Sequence, residues 1–157
     1  MRSILRLSAI GGIAAAIIAV FASSGSAASE EHVHFFQGVK TCAPRTNTVP
    51  EIVCVLTTSN VALLQGASVA YLGDPLVFAE PAPGRVDSDV RLTTADGSGT
   101  ANGHCTFYFS TGTGLCSYRN GTGELAGFHA EFAVGTDNPK TRMYSVIGKY
   151  WLGGDGD

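Results

Sequence analysis

The sequence has few charged residues and no cluster of positive ones. Charged residues make up 15% of the chain, and from residue 29 onward eight Lys and Arg stand against thirteen Asp and Glu. Binding to nucleic acid or to an anionic membrane surface requires clustered cations. The composition therefore argues against both as partners, and the acidic balance indicates solubility.

Motifs for the common catalytic and metal chemistries are also missing from the sequence. No G-x-S-x-G elbow of a serine hydrolase occurs, and no C-x2-C pair has the spacing of a zinc site. Acidic residues are scattered, with no recognisable pair for glycoside hydrolysis. We therefore expect no metal and no cofactor. No segment of twelve or more residues has the apolar stripe of an amphipathic helix.

The one long apolar run lies near the N-terminus. Two arginines precede a run from Ala9 to Ala22, and the small residues Ser26–Ala28 follow it. This order predicts a secretory signal peptide over residues 1–28, with export to the periplasm or the extracellular space. The run is shorter than the roughly 20 residues of a membrane span, so a retained anchor is the less favoured alternative. Residues 29–157 then form a single mature domain, which is no longer attached to the membrane once the signal peptide is cleaved.

The chain contains four cysteines, all of them after the predicted cleavage site. They are Cys42, Cys54, Cys105 and Cys116. An even number of cysteines in an exported domain predicts two disulfides, and four cysteines allow three connectivities. We favour Cys42–Cys54 and Cys105–Cys116, because each pair would close a short loop within one hairpin.

Short runs of β-branched and aromatic residues alternate with turn-forming residues along the rest of the chain. This pattern predicts an all-β sandwich or barrel of many short strands. Residues 81–85 and 96–103 are predicted as loops, and Asn120-Gly121 as a turn. The predicted strands are 33–37, 51–57, 67–72, 75–79, 89–94, 104–110, 115–119, 123–134 and 142–152.

Two of these segments show which faces the strands bury. In 123–134, the residues Ala126, Phe128, Ala130, Phe132 and Val134 share one face, which predicts a strand with one apolar side. In 142–152, bulky apolar residues occupy both faces. A strand of that kind is covered on both sides, which fits either closure against a neighbouring subunit or a barrel whose lumen is also apolar.

The segment Gly121–Phe132, with the sequence GTGELAGFHAEF, resembles the allene oxide cyclase and dirigent protein superfamily, including its bacterial members. Gly103, Cys105 and Gly148-Lys149-Tyr150 are similar to positions in those members. Ala130 departs from the pattern, because the family usually has a glycine there. The resemblance covers about fifty residues. It implies an antiparallel barrel of eight strands with an apolar cavity, often in a homo-oligomer.

The resemblance implies two candidate functions for the barrel, and a third is open beside them. The first is binding of a small hydrophobic or phenolic molecule in the lumen. The second is a cofactor-free cyclase or isomerase, in which an apolar pocket holds a reactive molecule in a near-attack shape and excludes water. The third is a structural or interaction module whose barrel is filled by its own side chains.

Two groups of polar residues are candidates for the site. His129 and Glu131 lie two apart in the segment 123–134, so they share a face and form a candidate catalytic pair if that face points into the barrel. If it points outward, they are solvated surface residues. Tyr108, Tyr118 and Arg119 form a candidate ligand-binding group for a carboxylate or enolate oxygen, with cross-strand packing as the alternative.

Overall fold

The computed structural model describes residues 32–43, 52–73, 76–77 and 84–153. The predicted signal peptide lies outside these residues. The described chain forms nine β-strands and one short 3-10 turn, Ala62–Leu64. The strands are β1 His34–Cys42, β2 Ile52–Ser59, β3 Ser68–Tyr71, β4 Leu76–Val77, β5 Arg85–Thr93, β6 Gly99–Tyr108, β7 Thr113–Gly123, β8 Phe128–Asn138 and β9 Met143–Leu152.

The strands form a closed antiparallel barrel. Their order around the wall is β3-β2-β1-β9-β8-β7-β6-β5, and β3 pairs with β5 to complete the circle. The two-residue strand β4 adds to the other part of β5. The all-β barrel of eight strands is therefore confirmed, and the sandwich alternative is wrong. Within the described ranges, no helix has the length and apolar character needed to cross a membrane.

The predicted continuous strand 123–134 is instead a turn followed by a strand. Gly123 and Gly127 both have positive φ and bracket the turn, and β8 begins only at Phe128. Leu125 is fully buried within the turn, so the apolar alternation of the sequence continues through a segment that is not extended. From Phe128 to Val134 the predicted alternation holds, with the even-numbered residues buried.

The predicted loop 96–103 and the predicted turn at Asn120-Gly121 are also wrong. Only Asp96–Ser98 turn the chain, and Gly99 already begins β6. On the facing strand β7, Asn120 and Gly121 together lie opposite the single residue Ala101 of β6, where the register of the two strands shifts. The Asn-Gly pair therefore makes a β-bulge, with Asn120 in the left-handed conformation, and β7 continues through it.

Side chains that point inward fill the middle and one end of the barrel. The Phe36 and Phe132 rings pack with their centroids 4.4 Å apart, and Tyr118 of the adjacent strand β7 packs against Phe132 with a centroid distance of 5.7 Å. Leu125 and Phe128, both fully buried, occupy the filled end. The opposite end, where β1 stops and β2 starts, is less completely filled.

Both favoured disulfides are confirmed. Cys42–Cys54 joins directly opposed residues of β1 and β2, with the Cα atoms 3.9 Å apart. Cys105–Cys116 joins β6 to β7 in the same way, with a Cα separation of 4.1 Å. Two disulfides indicate an oxidising, exported environment.

Candidate functional site

A cavity of about 90 Å³ opens at the less filled end of the barrel. Its walls come from β1, β2, β3, β5, β6, β8 and β9. Most of the lining is apolar or aromatic, and three polar side chains, one lysine and two tyrosines, stand among it. The lining residues are Lys40, Cys42, Ile52, Cys54, Tyr71, Val86, Phe107, Phe109, Val134 and Tyr144.

Lys40 brings a charged group into this cavity. Alternation along β1 places it on the inward face with Phe36 and Cys42, and only 4% of its surface is exposed. Its Nζ donates a hydrogen bond to the Tyr71 hydroxyl oxygen at 2.9 Å and lies 5.4 Å from the centre of the Tyr71 ring. A lysine normally stays buried only when its charge has a partner, so this position is unusual for a structural residue.

The polar groups of the cavity are rich in hydrogen-bond donors. The Lys40 ammonium has three N–H groups and uses one on Tyr71, which leaves the Tyr71 O–H able to donate in turn. Tyr144 lies opposite Lys40 in the pairing of β1 with β9. Burial, and next the repulsion from Tyr71, raise the pKa of Tyr144, so its hydroxyl keeps its proton at neutral pH. The arrangement suits a ligand that carries an acceptor oxygen on an apolar body.

The predicted group of Tyr108, Tyr118 and Arg119 is not brought together. Tyr118 points inward and is buried, whereas Arg119, the next residue of β7, points outward. Tyr108 is 49% exposed on the outside. Consecutive residues of a strand face opposite sides, so Tyr118 and Arg119 cannot share a site.

Tyr118 lies in the core and outside the lining of the cavity. Its hydroxyl is 3.9 Å from Cys105 Sγ, and it must be the donor, because that sulfur is in a disulfide. Burial, together with repulsion from Tyr71, raises the pKa of Tyr118 well above its usual value. This side chain therefore packs the interior as a neutral phenol.

His129 and Glu131 lie on the outer face of β8. The His129 ring stacks on Trp151 at 5.5 Å, and Glu131 pairs with Lys149 at 3.0 Å. The Glu131 side chain is 61% exposed. The outward alternative holds for both residues, and they do not reach the cavity.

Sequence reasoning missed Lys40 and Tyr71, although a signal for each was present. Lys40 continues the period of two that begins at Phe36, but the predicted strand ended at residue 37. Tyr71 lay inside the predicted strand 67–72, on the same face as Val69. Their meeting depends on which strands are neighbours, and the local pattern of residues does not show strand order.

Within the described part of the chain, no three His, Cys, Asp or Glu side chains come together in a way that could hold a metal ion. Comparison with protein-family models, with curated proteins and with solved structures finds no match to this chain. The cavity and its donors are therefore the features from which a function can be argued.

Proposed function

We propose that the protein is an exported β-barrel that binds a small hydrophobic or phenolic ligand in the cavity around Lys40. The observation that carries this proposal is the set of donors from Lys40, Tyr71 and Tyr144 inside an otherwise apolar wall. A few placed polar groups in an apolar concavity are typical of small-molecule sites. The volume of about 90 Å³ is below the roughly 300–1,000 Å³ of pockets for drug-sized ligands. A single ring or a short chain is the expected size.

Export is the second part of the proposal. The disulfides agree with an oxidising compartment, and the sequence order of residues 1–28 supplies the route. The intact mass of the protein recovered outside the cytoplasm should correspond to a chain starting at Ser29 with four hydrogens lost. A mass that includes residues 1–28 would contradict cleavage.

A cofactor-free cyclase or isomerase, resembling the allene oxide cyclase superfamily, is the second candidate. The same donors favour it, because N–H and O–H groups aimed at one oxygen stabilise negative charge that develops there during a reaction. An apolar wall would also exclude water and hold the substrate in one shape. Recovery of an added ligand in altered form would support this candidate over simple binding.

Native mass spectrometry tests the binding proposal directly. The protein is purified from its own host and measured before and after mild organic extraction. A small molecule that leaves on extraction supports the proposal, and its mass gives its class. The variant Ile52→Trp, which fills the cavity, should lose this molecule, whereas Ile147→Trp on the outer face should keep it.

An apo mass for the wild-type protein, with no binding of added phenol, benzyl alcohol or benzoate, would count against the proposal. The third candidate, an interaction module, would then be favoured. The outer face offers an apolar stripe for that role, since Leu115, Ala133 and Ile147 lie side by side on β7, β8 and β9. The same spectrum reports whether the chain forms homo-oligomers.

A further inference from the structure

Lys40 has no acidic partner among the residues that the structure describes. The ion pairs found there involve Arg85, His104 and Lys149, all of which lie at the surface. The hydrogen bond that Lys40 Nζ donates goes to the hydroxyl oxygen of Tyr71, which is a phenol and not a carboxylate. Burial of an ammonium is costly unless a counter-charge accompanies it, so the cavity has a charge that a ligand can balance.

The hydrogen-bond donors of Lys40 and Tyr71 that remain unused specify what kind of group would balance the Lys40 charge. Two of the three Lys40 N–H groups are not used by Tyr71, and the Tyr71 O–H is also available. A carboxylate has two oxygens that accept without donating, and hydrogen bonds to an ionised acceptor are shorter and stronger than neutral ones. An amide or an alcohol offers fewer acceptor positions and no charge.

The single cation and the small volume of the cavity narrow the chemical class of the ligand further. One ammonium balances one negative charge, which fits a monocarboxylate better than a phosphate that carries close to two charges at neutral pH. The apolar side chains Ile52, Val86 and Phe107 require an organic body on the anion. A cavity of about 90 Å³ accommodates one ring or a short chain and is too small for a long-chain acid.

We infer that the ligand of this cavity is a small aromatic or short-chain monocarboxylate whose carboxylate pairs with the Lys40 ammonium. This inference rests on the proposed function, and it adds the chemical class of the ligand. It also gives Lys40 a role in selectivity, because a neutral molecule of the same shape would leave the buried charge without a partner.

The test compares acids with their neutral amides on the mature protein. Benzoate and benzamide form one pair of the same shape, and butyrate and butyramide form a second pair. Binding is measured by calorimetry at neutral pH. We expect at least one acid to bind at least tenfold more tightly than its amide. The variant Lys40→Met should lose this preference, while Lys149→Met, which removes an exposed lysine, should retain it.

A measurement on the wild-type protein keeps the inference testable if Lys40→Met does not fold. The chain has three lysines, Lys40, Lys140 and Lys149. The side-chain nitrogen resonances of lysine should therefore give three signals, and the acid should shift the signal of Lys40 without shifting the others.

The outcomes separate this inference from the proposed function. If an amide binds as well as its acid, or if the preference survives Lys40→Met, the inference is overturned and the binding proposal stands. If neither the acids nor the neutral molecules bind the wild-type protein, the proposed function fails and the inference fails with it.

Discussion

At the scale of single residues, the chain places its charged groups in two different ways. Most are on the outer wall, where pairs such as Glu131 with Lys149 are exposed and contribute little to stability. Among the described residues Lys40 is the exception, because it lies inside the barrel with a phenol as its hydrogen-bond partner. A residue that costs stability where it stands is a good candidate for a functional one.

Replacement of Lys40 by methionine tests whether the buried lysine lowers the stability of the fold. Methionine keeps the length of the side chain and removes the charge. Replacing a buried ion pair by apolar groups of similar volume is often neutral or stabilising by about 1–4 kcal/mol. Because Lys40 has no acidic partner among the described residues to leave unpaired, the free energy of unfolding should likewise stay the same or rise. Urea denaturation of Lys40→Met and wild type measures it. A loss of about 3 kcal/mol or more would instead reveal a buried anion left without its partner.

Asp96 gives a prediction about acid pH. Its carboxylate accepts hydrogen bonds from the Ser98 N–H, the Ser98 hydroxyl and the Thr94 hydroxyl, which lower its pKa from 3.8 to about 2. Between these two values the unfolded chain binds more protons than the folded one, so this contribution to stability is present above pH 3.8 and is lost as the pH falls through 2.

The variant Asp96→Asn should therefore show a weaker decline of stability between about pH 4 and pH 2 than the wild-type protein. Thermal unfolding across this range measures the decline. Equal slopes for the two proteins would show that the bonds of this turn do not hold the carboxylate in its charged form.

At the scale of elements, the sequence predicts strands well where the period of two is regular, and poorly where a turn or a bulge has the same pattern. The alternation from Phe128 to Val134 was predicted correctly, because both the buried and the exposed positions follow the pleat. Leu125 continued the pattern from inside a turn, and Asn120-Gly121 gave the signal of a turn from inside a bulge. In each case the local residues fit both structures, and the pairing with neighbouring strands decides between them.

The candidate site was less predictable than the fold for the same reason. Lys40 and Tyr71 are thirty-one positions apart in the chain and meet only because β1, β2 and β3 are neighbours in the wall. His129 and Glu131 share a strand, so their common face was predictable, but the direction of that face was not. A spacing of two marks His129 and Glu131 as a pair, whereas Lys40 has no polar side chain two positions before or after it.

Two glycines, one in the turn between β5 and β6 and one at the end of β7, allow a matched test of the turn geometry. Gly97 and Gly123 both have positive φ, but a Cβ at Gly97 would meet nothing within 4 Å, whereas one at Gly123 would collide with the Ser98 carbonyl oxygen. Gly97→Ala should cost the roughly 1–2 kcal/mol of a left-handed conformation. Gly123→Ala should cost about 1–3 kcal/mol more, because backbone must move. Equal losses in chemical denaturation would show that the β7–β8 turn shifts freely.

At the scale of the whole molecule, the barrel combines a filled end with a cavity at the other end. Among the described strands, the pairing of β3 with β5 gives each of the eight strands of the wall two partners, and such closure protects a small β protein from pairing with other chains. One disulfide, Cys42–Cys54, lines the cavity, while Cys105–Cys116 crosses the wall away from it. The two bonds close loops of nearly the same length, with sequence separations of 12 and 11.

This similarity makes the two disulfides a matched pair of tests for the location of the site. In the chain-entropy model, loops of this length stabilise the fold by about 3 kcal/mol each, so both double alanine variants should lose similar stability to urea. The variant Cys42→Ala with Cys54→Ala should also bind the carboxylate probes more weakly, because it alters the cavity wall. Cys105→Ala with Cys116→Ala should keep the wild-type affinity under conditions where it is folded. If the Cys105–Cys116 variant lost affinity and the Cys42–Cys54 variant kept it, the ligand site would lie away from Lys40.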